Sequence, residues 1–205
     1  MNKTMRRKDF ECSNEKEASC FLDSLQEGTL ATLTSKGLPS IRPMNFVRID
    51  NFLYFHGAKS GEKVEGLSNK ASFNVYRALS LIPSYWLDEL SACPATVFYQ
   101  SVIIKGEINL IIDIEKKSFI LQKFMEKLQP ERGHLPFPSN LDFYKNSIKG
   151  VSIFALSIEE LSYKVKLGQN WNEKKRNNIY SKLIERGTLQ DIETAKLMKS
   201  VDLLK

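Results

Sequence analysis

Cysteine and histidine are both scarce in this chain of 205 residues, at three and two copies, and each shortage removes a class of function. Cys12, Cys20 and Cys93 make no even disulfide framework and no C-x-x-C ligand pair, so ordinary reduced thiols are expected. His56 and His134 lie far apart in the sequence without an acidic partner at ligand spacing, and no metal site is expected. G-x-S-x-G is absent, which leaves a serine hydrolase without support. Long apolar runs are missing as well. The best window, 101–114, is broken by Lys105 and Glu107 and falls short of the roughly 18 apolar residues that a membrane-spanning helix needs. Residues 1–19 carry the positive charge of a signal peptide but no apolar stretch behind it. A cytoplasmic protein without membrane association is expected.

What is present points to a folded globular chain, with 42% hydrophobic and 26% charged residues excluding a disordered or fibrous composition. The formal charge of +6 suits an anionic ligand or nucleic acid. The basic residues are interleaved with acids, however, and no zinc-finger, KH or RRM signature appears, which argues against nucleic acid.

Residues 14–27 place Ala18, Phe21, Leu22 and Leu25 on one face of a 3.6-residue period, predicting a helix with Ser13 or Asn14 as N-cap and Gly28 as its stop. Short β-prone runs follow at 29–34, 38–49, 52–56 and 71–78. Lys36-Gly37 and Asp50-Asn51 supply residues that tolerate positive φ in tight turns. A long β run covers 96–112, in which Gly106 marks a bulge or a close approach. A second amphipathic helix is predicted over 115–129, a proline-rich loop over 130–140, and strands over 151–158 and 161–167. The tail is helical over 173–186, is stopped by Gly187, and restarts at Thr188 with a capping-box-like sequence. Six or more β segments with helices at the margins and no regular βαβ alternation predict an antiparallel barrel, mainly β. One domain over 1–205 is expected, with 168–205 as a helical C-terminal extension.

Two segments carry candidate chemistry. In Phe55-His-Gly-Ala-Lys-Ser-Gly-Glu-Lys63 a strand runs into a glycine-rich loop and a short helix reaching about Ser68. Glycines let N–H groups converge there, and Lys59 and Lys63 add charge, as a phosphate site requires; a solvated hairpin loop is the plain alternative. It is not a Walker sequence, because Lys63 stands two residues after Gly61. In Arg42-Pro-Met-Asn-Phe46 the proline marks a bulge or edge at which Arg42 can leave the ladder and face a ligand, the alternative being an edge strand whose Met44 and Phe46 simply pack. Period-two alternation puts Phe52, Tyr54 and His56 on one face and Leu53 and Phe55 on the other, without deciding which face meets a ligand.

Gly28-Thr-Leu-Ala-Thr32, Gly37-Leu-Pro-Ser-Ile-Arg-Pro43 and Tyr54-Phe-His-Gly-Ala-Lys-Ser-Gly-Glu-Lys63 resemble the core motifs of the pyridoxamine 5′-phosphate oxidase-like split barrels that bind flavin mononucleotide (FMN). Within that superfamily the chain is most similar to the nitroimidazole-resistance-type flavin proteins. Tyr99-Gln-Ser-Val-Ile-Ile-Lys-Gly106 resembles their later strand motif, and Val165-Lys-Leu-Gly-Gln-Asn170 the basic segment ahead of their final helices. The likeness runs from about Arg6 to Met198.

The resemblance implies an FMN-binding antiparallel split β-barrel with peripheral helices, working as a homodimer. Arg42, Pro43, Met44, Asn45 and Phe46 would line the flavin ring and ribityl chain. Lys59, Ser60 and Lys63 would surround the phosphate. Ser101, Gln169 and Asn170 would approach the cofactor from the partner subunit. His56 would stand at the barrel mouth, either as a catalytic proton donor or as a ring that holds the following loop. The implied function is an FMN-dependent oxidoreductase acting on a small, nitroaromatic-type acceptor, with a nicotinamide cofactor as electron donor. A non-catalytic flavin-binding or storage protein is the alternative, and haem or a deazaflavin are other ligands for the same barrel. Gly168 stands where serine is common and Trp171 where arginine is often seen, which puts the tail's contribution in doubt. The full substrate-phosphate pattern of true pyridoxamine-phosphate oxidases is absent, so vitamin B6 synthesis is not expected.

Overall fold

The computed structural model describes residues 7–58 and 70–202. Eight strands form one sheet: β1 (Glu27–Leu33), β2 (Pro39–Asn45), β3 (Val47–Ile49), β4 (Phe52–Ala58), β5 (Lys70–Ile82), β6 (Thr96–Ile111), β7 (Val151–Ser157) and β8 (Glu160–Lys166). Their order is β2-β1-β5-β6-β7-β4-β3, with β8 pairing β6 off this path. The α-helices are α1 (Glu15–Asp23), α2 (Ile114–Leu128), α3 (Leu141–Gly150), α4 (Glu173–Arg186) and α5 (Leu189–Asp202). The chain divides into two compact units, the first made of 1–14, 76–102 and 162–205, the second of 15–75 and 103–161. No helix among the described residues is long and apolar enough to cross a membrane.

In the second unit, α1 buries Ala18, Phe21 and Leu22 as its periodicity requires. It stops sooner than expected. The Ser24 hydroxyl donates to the Phe21 carbonyl at 2.7 Å, a local bond that competes with helix continuation. Gly28 is therefore no helix cap but a strand residue opposite Met44. A Cβ there would lie 2.5 Å from the Phe73 ring and 2.6 Å from the Asn74 carbonyl. The expected strand over 38–49 is two strands, because Phe46 turns into the core and its N–H bonds the Gln26 carbonyl at 3.3 Å instead of continuing the ladder. Gly37 at φ +75° and Asp50 at φ +53° make the two tight turns as read from the sequence.

Strand β4 is covered on both sides. Leu53 and Phe55 are fully buried, and Phe55 and Phe46 each meet Phe73 with ring centres 5.0 Å apart. Tyr54 faces the other way, into a cluster with Val47, Ile120, Phe124, Ile153 and Ala155 under α2. That helix is capped by Asp113, whose carboxylate accepts from Lys116 N–H at 2.7 Å. Residues 141–150, to which no element is assigned above, form α3, with Ile148 fully buried.

In the first unit, Gln100 donates to the Tyr163 hydroxyl at 2.6 Å inside the core. Helix α4 ends on Gly187 at φ +66°, whose N–H bonds the Leu183 carbonyl at 2.9 Å. Thr188 then caps α5 by accepting from Asp191 N–H at 3.1 Å. Asp191 is almost fully buried. Its carboxylate accepts from Arg186 Nε at 2.7 Å and Nη2 at 2.5 Å, from Ser80 at 2.6 Å and from Thr188 at 2.7 Å. Strand β5 reaches Ile82, beyond the expected end at Ala78, because Ser80 finds these buried partners; a lone sequence cannot show that.

The Arg186 guanidinium, with Ser80 and Thr188 adding to it, holds the Asp191 carboxyl well below the usual carboxylate range, against the effect of burial. A carboxylate shifted down contributes stability that is complete above its unfolded value near 3.8 and is lost as pH falls toward the folded value. Asp191→Asn is expected to cost about 1.5 to 3 kcal/mol, since it removes the buried charge that the Arg186 guanidinium and the Ser80 and Thr188 hydroxyls answer. Urea titrations should show the gap between wild type and variant shrinking as pH falls below about 4.

Lys127 supplies a second prediction. Its amino group donates to the Phe46 carbonyl at 3.0 Å and sits 4.0 Å over the Phe46 ring. Burial lowers its pKa to about 8, with Asp23 opposing and Arg48 adding to the shift. Between about 8 and the ordinary 10.5 the unfolded chain binds more protons, so stability rises with pH. Lys127→Met should remove that rise, read as the difference between wild-type and variant urea midpoints across the window.

Candidate functional site

Arg42, Pro43, Met44 and Asn45 lie on β2, at one end of the strand order, where β1 is the partner. Pro43 is thus on an edge, as its missing N–H demands. Alternation divides the segment: Arg42 and Met44 share one face, while Pro43 and Asn45 are exposed on the other. Arg42 is half-buried, and its Nη2 donates to the hydroxyls of Thr32 and Ser40, both at 2.9 Å. No carboxylate pairs with it among the described residues. Two hydroxyls orient the guanidinium and leave its other donors for a further acceptor. Met44 is buried, Asn45 donates to the Gln26 carbonyl at 3.3 Å, and Phe46 is committed to the core beneath Lys127.

His56 is partly buried on the α2 side of β4. Its ring meets Phe124 edge to face, with centres 4.7 Å apart. The alternation of Tyr54 and His56 against Leu53 and Phe55 holds as read, yet both faces are covered by protein within this chain. Lys59, Ser60 and Lys63, with the short helix expected up to Ser68, lie outside the described residues. Gly57 and Ala58 still belong to β4, opposite Ser152 and Val151.

Ser101, Gln169 and Asn170 belong to the first unit. Ser101 is half-buried on β6 and shares a face with Tyr99. Gln169 is occupied locally: its side chain accepts from Leu167 N–H and donates to the Val165 carbonyl, each at 2.7 Å. Asn170 is exposed and lines a cavity of about 550 Å³. Arg7, Lys164, Lys166 and Lys175 also line this cavity, together with Tyr99 and Trp171.

Sequence reading did not single out these lysines as site residues. The pattern Lys164-Val-Lys166 around the buried Val165 was the available signal, because strand alternation puts both lysines on one face. Among the described residues no group of three His, Cys, Asp or Glu side chains is placed to hold a metal. Cys12, Cys20 and Cys93 take part in no disulfide among the described residues.

No curated protein sequence matches the chain. Among solved structures, the flavocytochrome Anf3 from Azotobacter vinelandii is similar with a TM-score of 0.68 at 20% identity, over 86% of this chain and 80% of that one. The FAD and haem binding protein from Mycobacterium smegmatis gives 0.62 at 17%, over 87% and 80%. A protein attributed to 5-nitroimidazole antibiotic resistance, from Bacteroides thetaiotaomicron, gives 0.61 at 18%, over 76% and 86%. These likenesses establish the shared fold, an antiparallel split β-barrel with peripheral helices. The model of the family described as pyridoxamine 5′-phosphate oxidase matches residues 14–165. That span takes in β1 to β7 and nearly all of β8, and on this match the chain belongs to the pyridoxamine 5′-phosphate oxidase family.

Proposed function

We propose that the protein is an FMN-dependent oxidoreductase that passes electrons to a small, nitroaromatic-type acceptor and works as a homodimer. The observation that carries this reading is Arg42: a guanidinium on an edge strand, oriented by Thr32 and Ser40, with no carboxylate partner among the described residues. Such a group fits the polar edge of a flavin or its phosphate-bearing chain. Family membership supports the reading, as do similar proteins described as a flavocytochrome and as an FAD and haem binding protein. A bound flavin would supply the electron-transfer chemistry. The chain's own part is to orient that group and to shape the acceptor's side.

Arg42 would donate to the cofactor, and exposed Pro43 and Asn45 would bound the same edge. Lys59, Ser60 and Lys63 remain the residues proposed for the phosphate, with Ser101, Gln169 and Asn170 approaching from the partner subunit. His56, whose ring meets Phe124, would hold the strand end ahead of the residues proposed for the phosphate. A proton-donor role for it is tested by His56→Gln, which would slow oxidation of the reduced protein by a bound acceptor.

The decisive measurement is the absorption spectrum of purified protein with mass identification of the released ligand. FMN is expected; FAD, haem or a deazaflavin would replace the assignment. Reduction by a nicotinamide cofactor followed by fast acceptor-dependent reoxidation marks the enzyme, whereas retention of flavin without turnover marks a storage protein. Arg42→Ala should weaken FMN by about 1.5 to 3 kcal/mol, the worth of a charge-assisted hydrogen bond. Equilibrium dialysis reads that loss, and unchanged affinity removes Arg42 from the site. Sedimentation is expected to show a dimer at micromolar concentration, and a monomer holding stoichiometric FMN would overturn the shared-site reading.

A further inference from the structure

His134, in the proline-rich loop, is not among the residues given to the flavin, and its Nδ1 is buried without a hydrogen-bond partner among the described residues. Such a nitrogen is costly to leave unanswered, because it has lost water and gained nothing in return. His134 lines a cavity of about 340 Å³ together with Arg132, Pro130 and Pro136 of the loop. The other wall is Gln122 and Glu126 of α2 and Gln129 at its C-terminal end.

The loop is tied to its surroundings. Gln122 accepts from Phe137 N–H at 3.1 Å, the Gln129 side chain donates to the Arg132 carbonyl, and Arg132 N–H bonds the Gln129 carbonyl at 3.0 Å. Phe137 stacks on Tyr144 of α3 with ring centres 4.1 Å apart, and the Tyr144 hydroxyl donates to the Leu135 carbonyl at 2.9 Å. Arg132 and Gly133 are both left-handed, at φ +67° and +89°. Glycine takes that conformation freely and arginine does not. The backbone alone would favour glycine at 132 as well, so the long cationic side chain stands there against local preference.

Charge around the cavity suits a single negative charge. Glu126 is held by Lys123 at 2.7 Å; Lys123 first, then Gln122 and Arg132, keep its carboxyl below the ordinary value against the effect of burial. No carboxylate pairs with Arg132 among the described residues. Lys123 and Arg132 set against Glu126 leave one positive charge over. A dianion would meet repulsion from Glu126, and a cation would find a carboxylate that Lys123 already answers. A monoanion that accepts from the guanidinium and from the imidazole satisfies both.

The body of α2 separates this cavity from the flavin residues. Gln122 and Glu126 are turned about 200° around the helix from Ile120 and Phe124. Phe124 is the residue that meets His56, and Lys127, one turn further, meets Phe46. The cavity therefore lies on the side of α2 away from β4. Its volume is near the lower end of small-molecule sites, roughly 300 to 1,000 Å³, which sets the size of an occupant. We propose that this cavity binds a small monocarboxylate, with the Arg132 guanidinium and the His134 Nδ1–H gripping its oxygens and Pro130 and Pro136 flanking its short apolar body. This site does not rest on the flavin reading.

Imidazole nitrogen resonances of the isotope-labelled full chain test it, because the sequence has two histidines and His134→Gln identifies each. Butyrate should shift the His134 signals and leave those of His56 in place, saturating with a Kd of about 1 mM or below. Butyramide, of the same size without the charge, should bind at least about tenfold more weakly. Arg132→Gly should weaken butyrate at least about tenfold while its thermal midpoint stays at or above that of wild type, since glycine fits the left-handed position. Glu126→Gln should tighten butyrate at least about twofold by removing the opposing charge. Absence of a saturable His134 shift overturns the proposal, as does butyramide matching butyrate. Wild-type butyrate affinity in Arg132→Gly also overturns it. If that variant does not fold, Glu126→Gln decides, and an affinity unchanged or lower there counts against the site. Release of flavin by butyrate would make the cavity part of the flavin's own site and overturn it too. Protein that binds butyrate as expected yet holds no flavin would sink the flavin reading and leave this one standing.

Discussion

The second unit depends on one strand being dry on both sides. Strand β4 pairs with β7 along its whole length and with β3 at its start. Its residues alternate between two apolar environments instead of between core and solvent. Leu53 and Phe55 pack toward Phe46 and Phe73, while Tyr54 and His56 pack toward α2. A strand buried on both faces must read as a near-continuous apolar run, and Phe-Leu-Tyr-Phe-His is one. The rest follows in order: α2 must lie across β4 to cover Tyr54, its Asp113 cap fixes where it starts, and Lys127 near its end reaches back to Phe46. The imidazole of His56 is thereby held as an aromatic edge before any chemistry is asked of it.

The two units handle polarity in opposite ways. The first buries a closed set of partners around Asp191, where an arginine and two hydroxyls satisfy a carboxylate that is nearly out of contact with water. That set joins the end of β5 to the start of α5, and Arg186 further stacks on Trp86 at 4.5 Å. The same unit leaves Arg7, Lys164 and Lys166 without such closure. The second unit's Arg48 and Asp23 close on each other at 2.6 Å, whereas Arg42 does not close on an acid. Unclosed cations next to closed ones make a useful contrast. Arg48 and Arg186 each close on a carboxylate, whereas Arg42 does not, and Arg42 is where a ligand is proposed.

Legibility in the sequence followed the range of the interactions involved. Helix α4 spans the residues its pattern marks, because its signals are local: Asn172 caps its start and Gly187 its end. Strand β6 is similarly clear over sixteen residues, since alternation accumulates with length. Gly28 misled because glycine after a helical pattern is a stop signal, while its real role is set by Phe73 and Asn74 across a ladder. The stretch forming α3 does carry Leu141, Tyr144 and Ile148 at helical spacing in the sequence, but ten residues directly after a proline-rich loop give a period little length in which to stand out. On the candidate site, the edge position of Pro43 and the alternation of β4 were readable, since both are backbone properties. The basic cavity was not, because Arg7, Tyr99 and Lys166 are far apart along the chain and meet through the packing of the first unit.

Gly106 ends as more than the close approach its spacing suggested. A Cβ at this position would stand 1.8 Å from the Ser157 carbonyl oxygen, a distance no repacking accommodates, because the obstacle is backbone. Its neighbours on β6 are Lys105 and Glu107, and the pairing just beyond sets Ile108 opposite Leu156. Sliding β6 by one residue in either direction would bring a long charged side chain onto that carbonyl and turn every inward residue outward. The missing side chain therefore acts as a keyway: a sixteen-residue strand, long enough to pair in several ways, fits its neighbour in the single alignment that puts the gap over the oxygen.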